Sequence, residues 1–147
     1  DLFKIQKKIT KIEGNILIEE MIAPISLELL IGITKDETGL FALTIAQGGT
    51  YSELYSNTRN SKSLVILPTN KNSIKEALKE LTLYPIFKGY RGLPKANLEK
   101  TIEVIFKLSS LTVENNINIE EIEINPLIVT PKGAYAADAL ISMKRNH

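Results

Sequence analysis

The stretch "EIEINPLIVTPKGAYAAD", Glu121 to Asp138, decides how this chain folds. Along a strand, side chains alternate between the two faces, so Glu121, Glu123 and Asn125 point one way while Ile122 and Ile124 point the other. The four residues "TPKG", Thr130 to Gly133, put proline second and glycine fourth, the preference of a type I turn. With Pro131 and Lys132 as the loop, Thr130 pairs with Gly133, and stepping back along both strands sets Asn125 opposite Asp138. Directly opposed residues share a face, with Cβ atoms about 5 Å apart. A type I two-residue turn is not the favoured hairpin connection, so a register one residue away is the competing arrangement.

An amide oxygen and a carboxylate at one spot, with Glu123 one step along the same face, form a hard, oxygen-only donor set. Magnesium takes one or two such protein ligands and completes its octahedron with water and phosphate oxygens. A solvated polar face has the same spacing, and the residues alone leave both readings open.

Working outward, Leu2, Ile5, Ile9 and Ile12 fall at helical spacings and predict a short amphipathic helical lead-in over 1–13. Strand-like runs follow at "NILIEEMI", "SLELLIGIT", "LFALTIA" and "LVILP", joined by short turn-rich connections that suit an antiparallel meander. Ile74, Ala77, Leu78 and Leu81 mark one helix, with Ser73 and Glu76 spaced as a capping box. Tyr84-Pro85 ends that region, and Leu98, Ile102, Ile105 and Leu108 mark a longer helix to about Asn115. Two helices on one side of a mainly antiparallel sheet make an α+β domain. The 147 residues suit one such domain, 1–147, with no linker or repeat to divide it.

Glu28 lies inside an apolar run, on the strand face of Ser26, Leu30 and Gly32. A carboxylate there needs a donor or a ligand hydroxyl, unless the strand is half-exposed. Gly48 and Gly49 end the third strand, where backbone amides could approach a phosphate, although paired glycines also make plain turns. Arg91 in "GYRGLP" is a candidate anion contact or simply a solvated loop residue.

Composition narrows the classes. With 18 Lys plus Arg against 17 Asp plus Glu, net charge +1, no basic stripe for nucleic acid is concentrated anywhere. There is no cysteine, and His147 is the one histidine, which removes thiolate chemistry and any His-based triad or imidazole zinc site from these residues. Apolar runs fall far short of the ~20 residues that cross a bilayer and no charged-then-apolar leader opens the chain, so the expected location is the cytoplasm, without a membrane partner.

Taken in order, "ILIEEMI", "LELLIGITKD", the "GG" followed by Glu53, "FKGYRGLP", "EIEINPLIVTPKG" and Asp138 resemble the C-terminal half of the ATP-grasp domain in ADP-forming acyl-CoA synthetases, relatives of succinyl-CoA synthetase β subunits. The resemblance covers residues 14–143. It implies that Glu20, Met21, Ile22 and Ala23 line the adenine of ATP or ADP, that Glu28 holds ribose hydroxyls, and that Asn125 and Asp138 ligate Mg2+. Glu123 matches an acidic position beside a phosphohistidine, a catalytic role, and Gly48 and Gly49 are the phosphate-loop candidates. It further implies substrates, CoA and a carboxylic acid, and two partners: an N-terminal ATP-grasp half and a CoA-binding subunit or domain bearing the phosphohistidine. These residues depart from the family's pattern: Glu123 stands where many members carry Asp, the loop after Glu53 is longer, Asn57 replaces an acidic residue, and the N-terminal half's phosphate-gripping lysine and glycine-rich loop and a phosphorylated histidine are not among them. A non-catalytic regulatory or assembly module, or another ATP-dependent carboxylate ligase, are the alternative readings.

Overall fold

The structure is a computed structural model, and it describes residues 19–49, 59–114 and 118–144. The expected lead-in over 1–13, the start of the "NILIEEMI" run, Glu53, Asn57 and His147 lie outside the described residues. The elements are β1 (Leu27–Lys35), β2 (Phe41–Gln47), β3 (Lys62–Ile66), α1 (Lys71–Glu80), α2 (Pro85–Lys88), α3 (Leu98–Glu114), β4 (Ile119–Val129), β5 (Ala134–Ala136) and β6 (Ala139–Met143). The strands form one sheet in the order β3-β2-β1-β4-β5, every pairing antiparallel, and β6 extends the β5 edge along the other half of β4.

β1 shows why one face is buried. Leu27, Leu29, Ile31 and Ile33 alternate with Glu28, Leu30 and Gly32, and only the first set is buried. They join Leu43 and Ile45 of β2 and Ile122, Ile124, Leu127 and Val129 of β4 in one cluster. Ile74, Ala77 and Leu78 of α1, with Ile102 and Ile105 of α3, close that cluster from the helix side. Helix α1 packs on α3 and β3, and the buried Ser63 hydroxyl of β3 donates 2.7 Å to the Ala77 carbonyl of α1. Among the described residues the helices pack on one face, and the other face of the sheet is the surface on which a site can be built.

Three local expectations are corrected. Glu19 to Ile22 carry no strand in the described structure, where "NILIEEMI" predicts one to Ile22. The cap of α1 is Asn70, whose side chain accepts from the Ser73 amide at 2.9 Å, one turn before the predicted Ser73-Glu76 box. Helix α1 ends at Glu80, ahead of the expected stop at Tyr84-Pro85, and Pro85 starts the separate four-residue α2, because a missing N–H costs nothing at a first helical position.

Candidate functional site

The hairpin register is the derived one. Val129 pairs with Ala134, Ile128 with Tyr135 and Leu127 with Ala136, and the Thr130 amide donates 2.8 Å to the Gly133 carbonyl. The Thr130 side-chain oxygen accepts from the Lys132 and Gly133 amides, both at 3.1 Å, which pins the turn. Asn125 stands opposite Asp138, its amide donating 3.2 Å to the Asp138 carbonyl. The same register continues into β6, where Ile124 meets Ala139 and Glu123 meets Leu140.

The period-two pattern does not run unbroken. Leu29 of β1 faces Leu127 and Ile31 faces Ile124, so Asn125 and Pro126 together oppose Leu30, a β-bulge. Burial slips phase accordingly, from Ile122 and Ile124 to Leu127 and Val129. On the hairpin side, Asn125–Asp138 and Pro126–Ala137 are bonded in succession, where a regular antiparallel ladder bonds alternate pairs. The bulge turns Asn125 toward the end of β2, and its side-chain oxygen accepts from the Gly49 amide at 3.2 Å.

That contact joins three separate candidates. The Gly48 amide donates 3.0 Å to the Glu28 carbonyl, carrying the ladder one pair past β2. A Cβ on Gly48 would run into the Leu29 backbone, and one on Gly49, at φ +77°, would run into the Glu28 carboxylate. Both glycines are therefore required by close approach, Gly49 also by its backbone angle. Glu28, Gly48, Gly49 and Asn125 converge, with Asp138 across the hairpin and Glu123 farther along β4 beside Gly32. The Asn125 oxygen has a second lone pair after the Gly49 bond, so it remains able to ligate.

Glu20, Met21, Ile22 and Ala23 lie at the other end of this surface. They line an open cleft with Ile128 and Tyr135, and Met21 is 88% exposed. Ile128 pairs with Glu28 on one side and Tyr135 on the other, so Glu28 lies one strand from the cleft. From Ile128 to Glu123 along β4 is five residues, about 16 Å. Tyr135 and Lys132 also line the cleft, and neither is a site candidate on the sequence alone. Counting in twos from Asp138 puts Tyr135 on the wrong face, because the slip at Ala137–Asp138 intervenes. Arg91 lies over the Tyr90 ring at 5.4 Å, in a loop between α2 and α3. Among the described residues no group of three or more His, Cys, Asp and Glu could hold a metal, and no helix is long and apolar enough to cross a membrane.

A family model described as an ATP-grasp domain matches residues 3–143. The chain belongs to the ATP-grasp family. It is 30% identical over 132 residues to the β subunit of ADP-forming acetate–CoA ligase II of Pyrococcus furiosus, covering 88% of this chain and 54% of that one. Against the ADP-forming acetate–CoA ligase of Methanocaldococcus jannaschii it is 28% identical over 132 residues, 88% of this chain and 18% of the other. The fold is similar to that of acetyl-coenzyme A synthetase 1 of Candidatus Korarchaeum cryptofilum. In its complex with coenzyme A and Mg-AMPPCP the TM-score is 0.73, with 28% identity and coverage of 84% of this chain and 55% of that one. For the apo form the TM-score is 0.76, again with 28% identity, covering 97% of this chain and 66% of the other. The ATP-grasp chain spans about half the length of the curated β subunits it matches, 54% and 48%.

Proposed function

We propose that this ATP-grasp chain is the C-terminal, Mg-nucleotide-binding half of an ADP-forming acyl-CoA synthetase. The reaction is acid, CoA and ATP to acyl-CoA, ADP and phosphate, reversible through an acyl phosphate and a phosphohistidine. The observation that carries the reading is the meeting of the Gly49 amide and the Asn125 side chain, with Glu28 beneath and Asp138 opposite. Along the sheet face the order is cleft, Glu28, glycine pair, amide and carboxylate, then Glu123, which suits base, ribose, phosphates with their cation, and phosphohistidine in turn.

A donor set of one amide oxygen and one carboxylate fits magnesium, which is satisfied with few protein oxygens when phosphates supply the rest, and does not suit zinc. Phosphoryl transfer depends mainly on positioning and charge neutralisation. Asn125 and Asp138 would hold the cation, the Gly48-Gly49 segment would place an amide near phosphate oxygens, and Glu20 to Ala23 would bound the base. Glu123 would steady the charge of the phosphohistidine. The similarity to β subunits and to a complex with coenzyme A and Mg-AMPPCP supports a partner half and a CoA-binding, phosphohistidine-bearing subunit, with a carboxylic acid as substrate.

Isothermal titration of the chain with Mg-ADP tests this. Weak, metal-dependent binding is expected, lost in Asn125→Ala and in Asp138→Ala. Binding unchanged in both variants, or equal with and without magnesium, refutes the assignment and favours a docking module.

A further inference from the structure

We infer that Tyr135 is the platform on which the nucleotide's base stacks, held in position by Gly133 beneath it; this rests on the nucleotide reading above. Tyr135 is on the three-residue strand β5, and 43% of it is exposed although its ring is large and mostly apolar. It lines the cleft with Met21, Ile22 and Ile128. Its cross-strand partner Ile128 is in turn the partner of Glu28, so the ring lies two strands from the carboxylate assigned to ribose.

The ring is supported from below. A Cβ on Gly133 would lie 2.9 Å from the Tyr135 hydroxyl oxygen, 3.0 Å from Cζ and 3.2 Å from Cε2. The outer half of the ring therefore rests on the bare backbone of the turn. That turn is itself fixed by the Thr130 hydroxyl, buried and bonded to the Lys132 and Gly133 amides. A phenol pinned at its outer end and open toward an apolar-edged cleft is suited to a flat π-system. The neighbouring groups select which one: Glu28 for hydroxyls next to it, then an amide and oxygen donors for phosphates, identify a nucleoside di- or triphosphate. Stacking reads the face of a base and not its edge, so it contributes to affinity for adenine and guanine alike.

The test is a set of titrations on this chain with Mg-ADP, Mg-GDP and Mg-pyrophosphate, folding being checked by circular dichroism. Tyr135→Ala is expected to raise the Kd of Mg-ADP and Mg-GDP about ten-fold or more and to leave Mg-pyrophosphate unchanged. Tyr135→Phe keeps the ring and should bind as the parent does. Gly133→Ala keeps the tyrosine but displaces it, and should weaken both nucleotides. The inference is overturned if Tyr135→Ala binds Mg-ADP like the parent, or if it weakens pyrophosphate equally. A parent chain that binds none of the three ligands would instead defeat the nucleotide reading, and this inference with it.

Discussion

Replacing Gly48 by alanine puts the junction between fold and site under a measurable load. The added Cβ would lie 2.5 Å from the Leu29 carbonyl oxygen and 2.7 Å from the Leu30 amide nitrogen. These are backbone atoms, so no rotamer change relieves the contact. Restoring an ordinary separation of 3.4 Å from the Leu29 oxygen needs a shift of about 0.9 Å, the difference between 3.4 and 2.5. The Gly48 amide bond to the Glu28 carbonyl is now 3.0 Å, and the same displacement would stretch it past hydrogen-bonding range. Losing one bond costs about 1 kcal/mol and overpacking adds roughly 1–3 kcal/mol. The sum, about 2–4 kcal/mol, corresponds to a fall in Tm on the order of 10 °C for a domain of this size. Thermal unfolding by far-UV circular dichroism measures it. A Tm within about 2 °C of the parent would refute the argument that Gly48 is there for close approach. Gly39→Ala is the control, since the turn glycine has φ +90° but only the Lys35 side chain near a Cβ, at 3.8 Å; it should cost about 1–2 kcal/mol and leave Mg-ADP binding intact.

Two further outcomes concern the helices. Asn70→Ala removes the acceptor for the Ser73 amide and should lower stability by about 1 kcal/mol in urea unfolding, with Asn70→Asp close to the parent. Glu103 accepts from Lys100 at 2.8 Å and lies 3.1 Å from Lys107, and these partners hold its carboxyl down to about 2 from an ordinary 4.5. A depressed carboxylate stabilises the fold above its unfolded-state value, and that contribution disappears as pH falls from 4.5 through about 2. Tm followed over that range should therefore fall less steeply in Glu103→Gln than in the parent, and 0.5 M salt should narrow the gap because the pairs are exposed. Identical slopes would contradict the assignment.

The hairpin was legible because its information is local. "TPKG" states the turn and two short alternating runs state the register, so Asn125 opposite Asp138 follows without any distant contact. The core faces of β1, α1 and α3 were legible for the same reason, as apolar residues at the period of their element. What the sequence did not disclose depends on pairs far apart in the chain or on breaks of phase. The Gly49 amide reaches Asn125 across 76 residues, and nothing in either neighbourhood announces the partner. The bulge at Asn125-Pro126 depends on how β1 pairs with β4, and the break that accompanies it at Ala137–Asp138 puts Tyr135 on the site face against the count in twos. At Glu19 to Ile22, the end of the "NILIEEMI" run, there is no ladder in the described structure, and the two glutamates there are residues that strands disfavour. Asn70 shows a narrower failure. Several polar residues precede α1, and Asn70, itself a favoured cap type, is the one whose side chain caps it.

The sheet divides labour between its two sides. Leu29, Ile31, Leu43, Ile122 and Leu127 face the helices, while Glu28, Glu123 and Asn125 are on the side where no helix packs among the described residues. Directed evolution could therefore treat them as two nearly independent libraries: one screened for heat tolerance by varying helix-side packing, the other for nucleotide preference by varying the opposite surface. Changes from the two selections should combine additively, except where they share Gly48, Gly49 and the Asn125-Pro126 bulge, the few positions through which one side mechanically governs the other.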